Sequence, residues 1–175
     1  MKILIVVDMQ KDFVDGALGT AEAVATVEPV TELIENGGFD VVFATRDTHA
    51  ADYLATREGK HLPVEHCIEN TPGWEIVPPV AVALEKAGAV VLDKPTFGSV
   101  ELVEKVKAVV KDEADTAITL VGLCTDICVV SNAMLLKADL PEADFAVVAK
   151  ACAGVTPESH NAALQTMGMC QIEIL

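Results

Sequence analysis

The sequence predicts an α/β fold built on a parallel sheet, and three features carry that prediction. Segments rich in branched aliphatic residues alternate with segments of helical periodicity along all 175 residues. Lys2–Asp8, KILIVVD, is an almost uninterrupted aliphatic run, the composition of a parallel strand covered on both faces. No low-complexity tract or internal repeat breaks the rhythm, so residues 1–175 are expected to form one domain with a full core.

Lys2–Asp8 is the first expected strand. Ala21–Asn36 has helical spacing and is stopped by Gly37 and Gly38, and Asp40–Ala44 is the second strand. A polar connection then runs from Thr45 to about Pro79, with Pro63 and Pro72 and few periodic positions. Connections of that length are uncommon and tend to be functional. Ala81–Ala87 reads as helix, Ala89–Leu92 as the third strand and Val100–Lys111 as a helix charged on one side. Thr119–Val121 ends a fourth strand, and Gly122 lets the chain turn. Thr125 and Asp126 offer capping oxygens for a helix over Asp126–Lys137, whose Ile127, Val130, Met134 and Leu135 recur at helical spacing. Asp144–Ala149 is a fifth strand, Pro157–Met167 a helix opened by Thr156, and Gln171–Leu175 a last short strand.

Composition excludes several classes of partner. Twelve basic residues against 27 acidic ones leave a formal charge of −15, with no cluster of Lys and Arg, which disfavours nucleic acid and anionic membrane. The apolar run at the start is short and ends in Asp8 without a small-residue cleavage site, so it reads as a strand and not a signal peptide. Nothing approaches membrane-spanning length. Five cysteines, Cys67, Cys124, Cys128, Cys152 and Cys170, are odd in number and form no CxxC, which suits a reduced, cytoplasmic protein.

In a parallel sheet the ligand crevice lies beyond the carboxyl ends of the strands, where strand order reverses. Asp8 ends the first strand, Lys94 the third, and Cys128 sits in the first turn of the helix after the fourth. Taken singly, Asp8 reads as a loop-ordering carboxylate, Lys94 as a solvated lysine, and Cys124 and Cys128 as small buried hydrophobes. Together they have a chemical use. A helix N-terminus and a lysine favour the thiolate, and a carboxylate can take the thiol's proton and return it to a leaving amine.

The combination VVDMQKDFVDGALG (6–19), DTH (47–49) with HC (66–67), DKPTFGS (93–99) and GLCTDICVVSNA (122–133) resembles the isochorismatase-like cysteine hydrolases, the superfamily that includes nicotinamidases. The likeness spans nearly the whole chain in order. It implies a Rossmann-like, three-layer αβα sandwich around a six-stranded parallel sheet, with Asp8, Lys94 and Cys128 as catalytic triad. It also implies a non-proline cis peptide at Leu123–Cys124 and an oxyanion hole made of the backbone N–H groups of Cys124 and Cys128. The implied activity is hydrolysis of a small primary amide to acid and ammonia through a thioester. Cysteine at 128 argues against vinyl-ether hydrolysis of isochorismate, which relatives perform without that nucleophile.

The same resemblance implies one divalent metal ion, Zn, Fe or Mn, on Asp47, His49 and His66. The family's further histidine, four residues past the first, is replaced by Tyr53, with Asp52 or His61 as possible substitutes; His61 on its own reads as a solvated loop residue. Phe13, Phe97 and Leu123 are the expected pocket residues. A tryptophan that nicotinamidases place before the HC histidine is replaced by Pro63, and Trp74 reads as a cover or interface residue. The expected partner is a small-molecule amide, nicotinamide-like or a ureido or carbamoyl compound, and a homo-oligomer is implied. A different class stays open: a thiol redox or binding module using Cys124 and Cys128 as a pair.

Overall fold

β1 (Lys2–Val7) lies at the middle of a six-stranded sheet. Its neighbours are β2 (Val41–Asp47) and β4 (Ala117–Leu123), and beyond them lie β3 (Val90–Lys94) on one side and β5 (Asp144–Ala153) and β6 (Glu173–Ile174) on the other. The order β3-β2-β1-β4-β5-β6 is parallel throughout. The computed structural model describes residues 1–175.

The aliphatic run of β1 explains the three layers. Successive strand residues point to opposite faces. Ile3, Ile5 and Val7 join one apolar cluster with residues of α5 (Val100–Val109), α6 (Val130–Asp139) and α7 (Pro157–Met169). Leu4 and Val6 join the other, with residues of α2 (Ala21–Asn36) and α4 (Pro78–Lys86). Ile3, Leu4, Ile5 and Val7 are fully buried, and each such side chain contributes roughly 1.5–3 kcal/mol relative to exposure. Both sides of the sheet are therefore covered, as its composition requires.

Helix starts follow local chemistry. Thr20, Ser99 and Thr156 accept from the backbone N–H of Ala23, Leu102 and Ser159, capping α2, α5 and α7. The long connection is more structured than its polarity suggests: it holds α3 (Arg57–His61), capped by Thr56, and two single 3-10 turns at Tyr53–Ala55 and Pro72–Trp74. A one-turn α1 (Lys11–Val14) follows β1. β2 runs on to Asp47, past the expected end at Ala44, because Asp47 still pairs in register with Lys94 of β3. β5 likewise continues to Ala153, and its register with β4 shifts between Leu120 and Gly122. At Gly122, φ is +113° and a β-carbon would fall 2.1 Å from the Val7 carbonyl oxygen, so only glycine fits.

Strand order reverses between β1 and β4, which are hydrogen-bonded neighbours. The residues that follow them, Asp8 and the Cys124–Cys128 segment, therefore meet at the crevice.

Candidate active site

Asp8 has φ +47° and a fully buried carboxylate. Thr45, at the matching level of β2, donates its hydroxyl to Asp8 Oδ1 at 2.7 Å. Lys94 enters from the far edge of the sheet, and only its length lets it reach past β2. Its Nζ lies 2.7 Å from Asp8 Oδ2 and donates to the Thr96 carbonyl at 3.1 Å and to Cys128 Sγ at 3.5 Å. The ammonium approaches Asp8 Oδ2 outside hydrogen-bonding directions, which leaves that oxygen with room for another proton donor. The expected trio is thus contiguous: carboxylate, ammonium, thiol.

Burial governs the protonation of this trio. It pushes the Asp8 carboxyl up, opposed by Lys94 and reinforced by Asp47. Burial opposes the Lys94 charge, but Asp8 and then Cys128 and Asp47 outweigh it and keep the ammonium protonated. The Cys128 thiol is pushed well up, by burial first and the Asp8 charge second, with Lys94 pulling the other way. The helix start and the lysine do not make Cys128 a resting thiolate, because neither compensates for lost hydration next to a carboxylate.

The turn carrying Cys128 differs from the expected capped helix. Residues Thr125–Val129 form a π turn, with the Val129 and Ile127 N–H groups both donating to the Cys124 carbonyl, at 3.0 and 3.1 Å, before α6 begins at Val130. No side chain caps the turn. Its carboxyl end is tied down by Asn132, which donates to the Cys128 carbonyl at 2.8 Å and accepts from the Ser99 N–H at 2.9 Å. The Leu123–Cys124 peptide is cis. The Cys124 N–H has no backbone acceptor. The Cys124 thiol is pushed up to about 12 by burial and by Asp126.

Beside the trio stands a second cluster. Asp47, His49, Glu58 and His66 each present one ligand atom, all within 4.8 Å of one another. His49 Nε2 is 2.8 Å from Asp47 Oδ2 and 3.7 Å from Glu58 Oε1, and His66 Nε2 is 3.6 and 3.9 Å from the same two atoms. His49 Nε2 is buried without a hydrogen-bond partner. His66 Nδ1 bonds the Val64 carbonyl at 2.9 Å, which turns Nε2 toward the cluster. Burial resists ionisation of Asp47, but the imidazoles of His49 and His66 beside it and the Lys94 charge hold it below the carboxylate range. Two imidazole nitrogens and two carboxylate oxygens around a common centre fit Zn²⁺, Fe²⁺ or Mn²⁺.

The fourth donor is the residue that sequence reasoning missed. Tyr53 is fully buried, donates to the Leu62 carbonyl at 3.0 Å and packs its ring 4.7 Å from His49 and 4.9 Å from His66, so it braces the histidines and ligates nothing. Neither Asp52 nor His61 joins the cluster. Glu58 does, because Thr56 starts α3 and the helix turns residue 58 inward; no spacing motif in the chain marks it. His61, three residues on, is exposed but lines the cavity.

That cavity has a volume of about 230 Å³ and is walled by Phe13, Leu18, Leu62, Phe97, Ile127 and His61, with Cys124, Cys128, Asp47, Glu58 and His66. Phe13 and Phe97 stand where expected. Leu123 does not: it is fully buried in the core behind the turn. Trp74 is also elsewhere, donating to Thr48 at 2.8 Å with the Arg46 guanidinium 3.7 Å above its ring. A wider groove between α4 and β3, lined by Arg46, Glu75, Val82 and Val91, has no cysteine or histidine.

A family profile described as the isochorismatase domain matches residues 2–174. The chain belongs to the isochorismatase family. A nicotinamidase of Schizosaccharomyces pombe is 28% identical, the alignment covering 98% of this chain and 91% of that protein. Solved isochorismatase-family structures superpose closely. The nicotinamidase/pyrazinamidase PncA of Bacillus subtilis has a TM-score of 0.79 at 26% identity, covering 99% of this chain and 98% of its own. The pyrazinamidase of Pyrococcus horikoshii, solved in complex with zinc, has a TM-score of 0.78 at 28% identity, with the same coverage. Yeast nicotinamidase Pnc1p bound to nicotinaldehyde shares the fold, with a TM-score of 0.83 at 19% identity over 100% of this chain and 99% of its own.

Proposed function

We propose that this member of the isochorismatase family hydrolyses a small primary amide of the nicotinamide type, using Cys128 as nucleophile, Asp8 as proton carrier and Lys94 as the cation between them. The observation that carries the reading is the buried line Asp8–Lys94–Cys128, with contacts of 2.7 and 3.5 Å, opening at its sulfur end into the apolar-walled cavity. Relatives that are nicotinamidases or pyrazinamidases over nearly the full length support the reaction class.

The chemistry follows from what burial does to the trio. As substrate enters, Asp8 takes the thiol proton and the sulfur attacks the amide carbonyl carbon, with Lys94 balancing the charge. The oxyanion is held by the backbone N–H groups of Cys124 and Cys128, each such donor being worth roughly 3–4 kcal/mol. Asp8 then hands its proton to the departing ammonia, and the C–N bond breaks to leave a thioester. Water, deprotonated by Asp8, attacks the thioester, and the thiol recovers its proton as the acid leaves. Phe13 and Phe97 flank a planar ring. Asp47, His49, Glu58 and His66 would hold a divalent ion, which when bound would supply Lewis-acid chemistry beside the cavity.

No helix is long and apolar enough to cross a membrane. Five free cysteines support a reducing, cytoplasmic setting. The edge strand β3, where Val90 and Val91 are 44% and 41% exposed, supports assembly of copies into a homo-oligomer, which light scattering on the purified protein tests.

The decisive experiment incubates the protein with nicotinamide, pyrazinamide, aliphatic primary amides and ureido compounds, with and without chelator, measuring ammonia and the mass of the trapped acyl-enzyme. Ammonia from an aromatic amide, with an adduct on Cys128, is expected. Absence of ammonia from every compound in the metal-loaded protein would overturn the reading.

A further inference from the structure

The turn that carries Cys128 is not held by a cap of its own. Thr125 and Asp126 are residue types that ordinarily cap the helix they open, as Thr20, Ser99 and Thr156 do elsewhere in this chain. Here both side chains are committed across the fold instead. Thr125 is fully buried, and its hydroxyl meets His160 Nδ1, on the first turn of α7, at 2.8 Å. The Asp126 carboxylate accepts from the Val155 N–H at 3.2 Å through both oxygens. Between these contacts stands Gly154, where a β-carbon would lie 2.8–2.9 Å from the backbone nitrogen, Cα and Cβ of His160. The loop after β5 and the start of α7 are therefore pressed together at the point where His160 reaches the turn.

We propose that His160 is a positioning residue for the nucleophile: through its Nδ1 bond to Thr125 it fixes the amino-terminal side of the π turn, and so the placement of Cys128 and of the Cys124 N–H. The inference rests on the function proposed above, and adds to it a residue that touches neither substrate nor reacting atoms. The physical argument is one of restraint. Asn132 ties the carboxyl end of the turn to Ser99 and the Cys128 carbonyl. Ser131 donates to the Ile127 carbonyl at the middle of the turn, and the side-chain bonds of its first two residues, Thr125 and Asp126, go to the α7 side. A buried hydroxyl deprived of its partner costs roughly 1–3 kcal/mol, enough to shift a short irregular turn toward another arrangement. Misplacement of a reacting group by about 1 Å can cost on the order of 100-fold in rate.

The engaged nitrogen makes the test specific. An asparagine amide occupies the place of Nδ1, whereas a glutamine amide occupies that of Nε2. His160→Ala, His160→Gln, Thr125→Val and Gly154→Ala are expected to lower kcat by roughly 10-fold or more while KM stays within about 2-fold, since the cavity walls come from other elements. His160→Asn is expected to restore most of the rate. The double variant His160→Ala/Thr125→Val should be no worse than either single one, because both remove one bond. A kcat for folded His160→Ala close to the parent's would overturn the proposal, as would equal rescue by Gln and Asn, or additive losses in the double variant. Iodoacetamide modification of Cys128, followed by mass spectrometry, reads the same placement without any amide. It is expected to slow in His160→Ala and Thr125→Val as sulfur moves away from Lys94. If the parent turns over no amide, the proposed function fails on its own; an alkylation rate unchanged by these variants would still overturn the role of His160.

Discussion

Asp47 and Lys94 are register partners at the ends of β2 and β3, and their side chains stand 3.6 Å apart. Asp47 faces two ways: Oδ1 toward the ammonium and Oδ2 toward His49 and His66. One carboxylate therefore borders both the Asp47–His49–Glu58–His66 cluster and the Asp8–Lys94–Cys128 trio, whereas Glu58 touches only the cluster.

That difference separates two variants. Glu58→Gln is expected to weaken metal binding by about 10–100-fold, read by metal analysis after dialysis against chelator, and to leave Cys128 alkylation unchanged. Asp47→Asn is expected to lose metal and also to change the alkylation rate, because Lys94 loses a neighbouring charge. Equal behaviour of the two would refute the division of roles.

Cys124 and Cys128 are four residues apart, both near the cavity, yet only Cys128 contacts Lys94. Cys128→Ala should abolish ammonia release, while Cys124→Ala, which keeps the backbone N–H, should retain most of it. Equal loss in both would favour a thiol pair over a single nucleophile.

The Asp8 charge beside the sulfur holds the thiol proton in place. Asp8→Asn removes that charge and leaves Asp47 as the carboxylate facing Lys94, so iodoacetamide should modify Cys128 faster at neutral pH even as amide turnover falls by a factor of 100 or more, on the order of a lost general acid–base group. Slower alkylation together with lost turnover would mean that Asp8 extracts the proton even without substrate.

Thr45 lowers the Asp8 carboxyl against the larger upward push of burial. Thr45→Val removes that donor, so the carboxyl is expected to rise further. A base must be ionised to act, and its activity is lost as pH falls through its pKa. The acidic limb of the pH–kcat profile should therefore move to higher pH in Thr45→Val, and a limb that stays put would assign it to another group.

The αβα architecture was legible because it rests on local patterns. The alternation within β1 sends Ile3, Ile5 and Val7 to one face and Leu4 and Val6 to the other, and helices on both sides of the sheet bury both sets. Asp8, Lys94 and Cys128 could be picked out as strand-end residues, since a parallel sheet delivers all its carboxyl ends to one edge. Phe13 was expected from the resemblance to the family, and Phe97 from its closeness along the chain to Lys94. Glu58 was not, because its approach to His49 depends on where the irregular connection folds back, and no periodicity encodes that. Leu123 was misplaced for a related reason: the cis peptide after it and the π turn set which side of the segment faces the cavity.

From residue order alone come the layers, the strand ends and the identity of the thiol, carboxylate and ammonium, because hydrophobic period and chain direction are local properties. The fold alone decides what those groups do to one another. Burial keeps the Cys128 proton on sulfur against the pull of Lys94, Glu58 completes a donor set from a helix no motif announces, and His160 reaches back 35 residues to hold Thr125. Each of these depends on distances and desolvation between segments remote in sequence, and none is written in any single stretch of the chain.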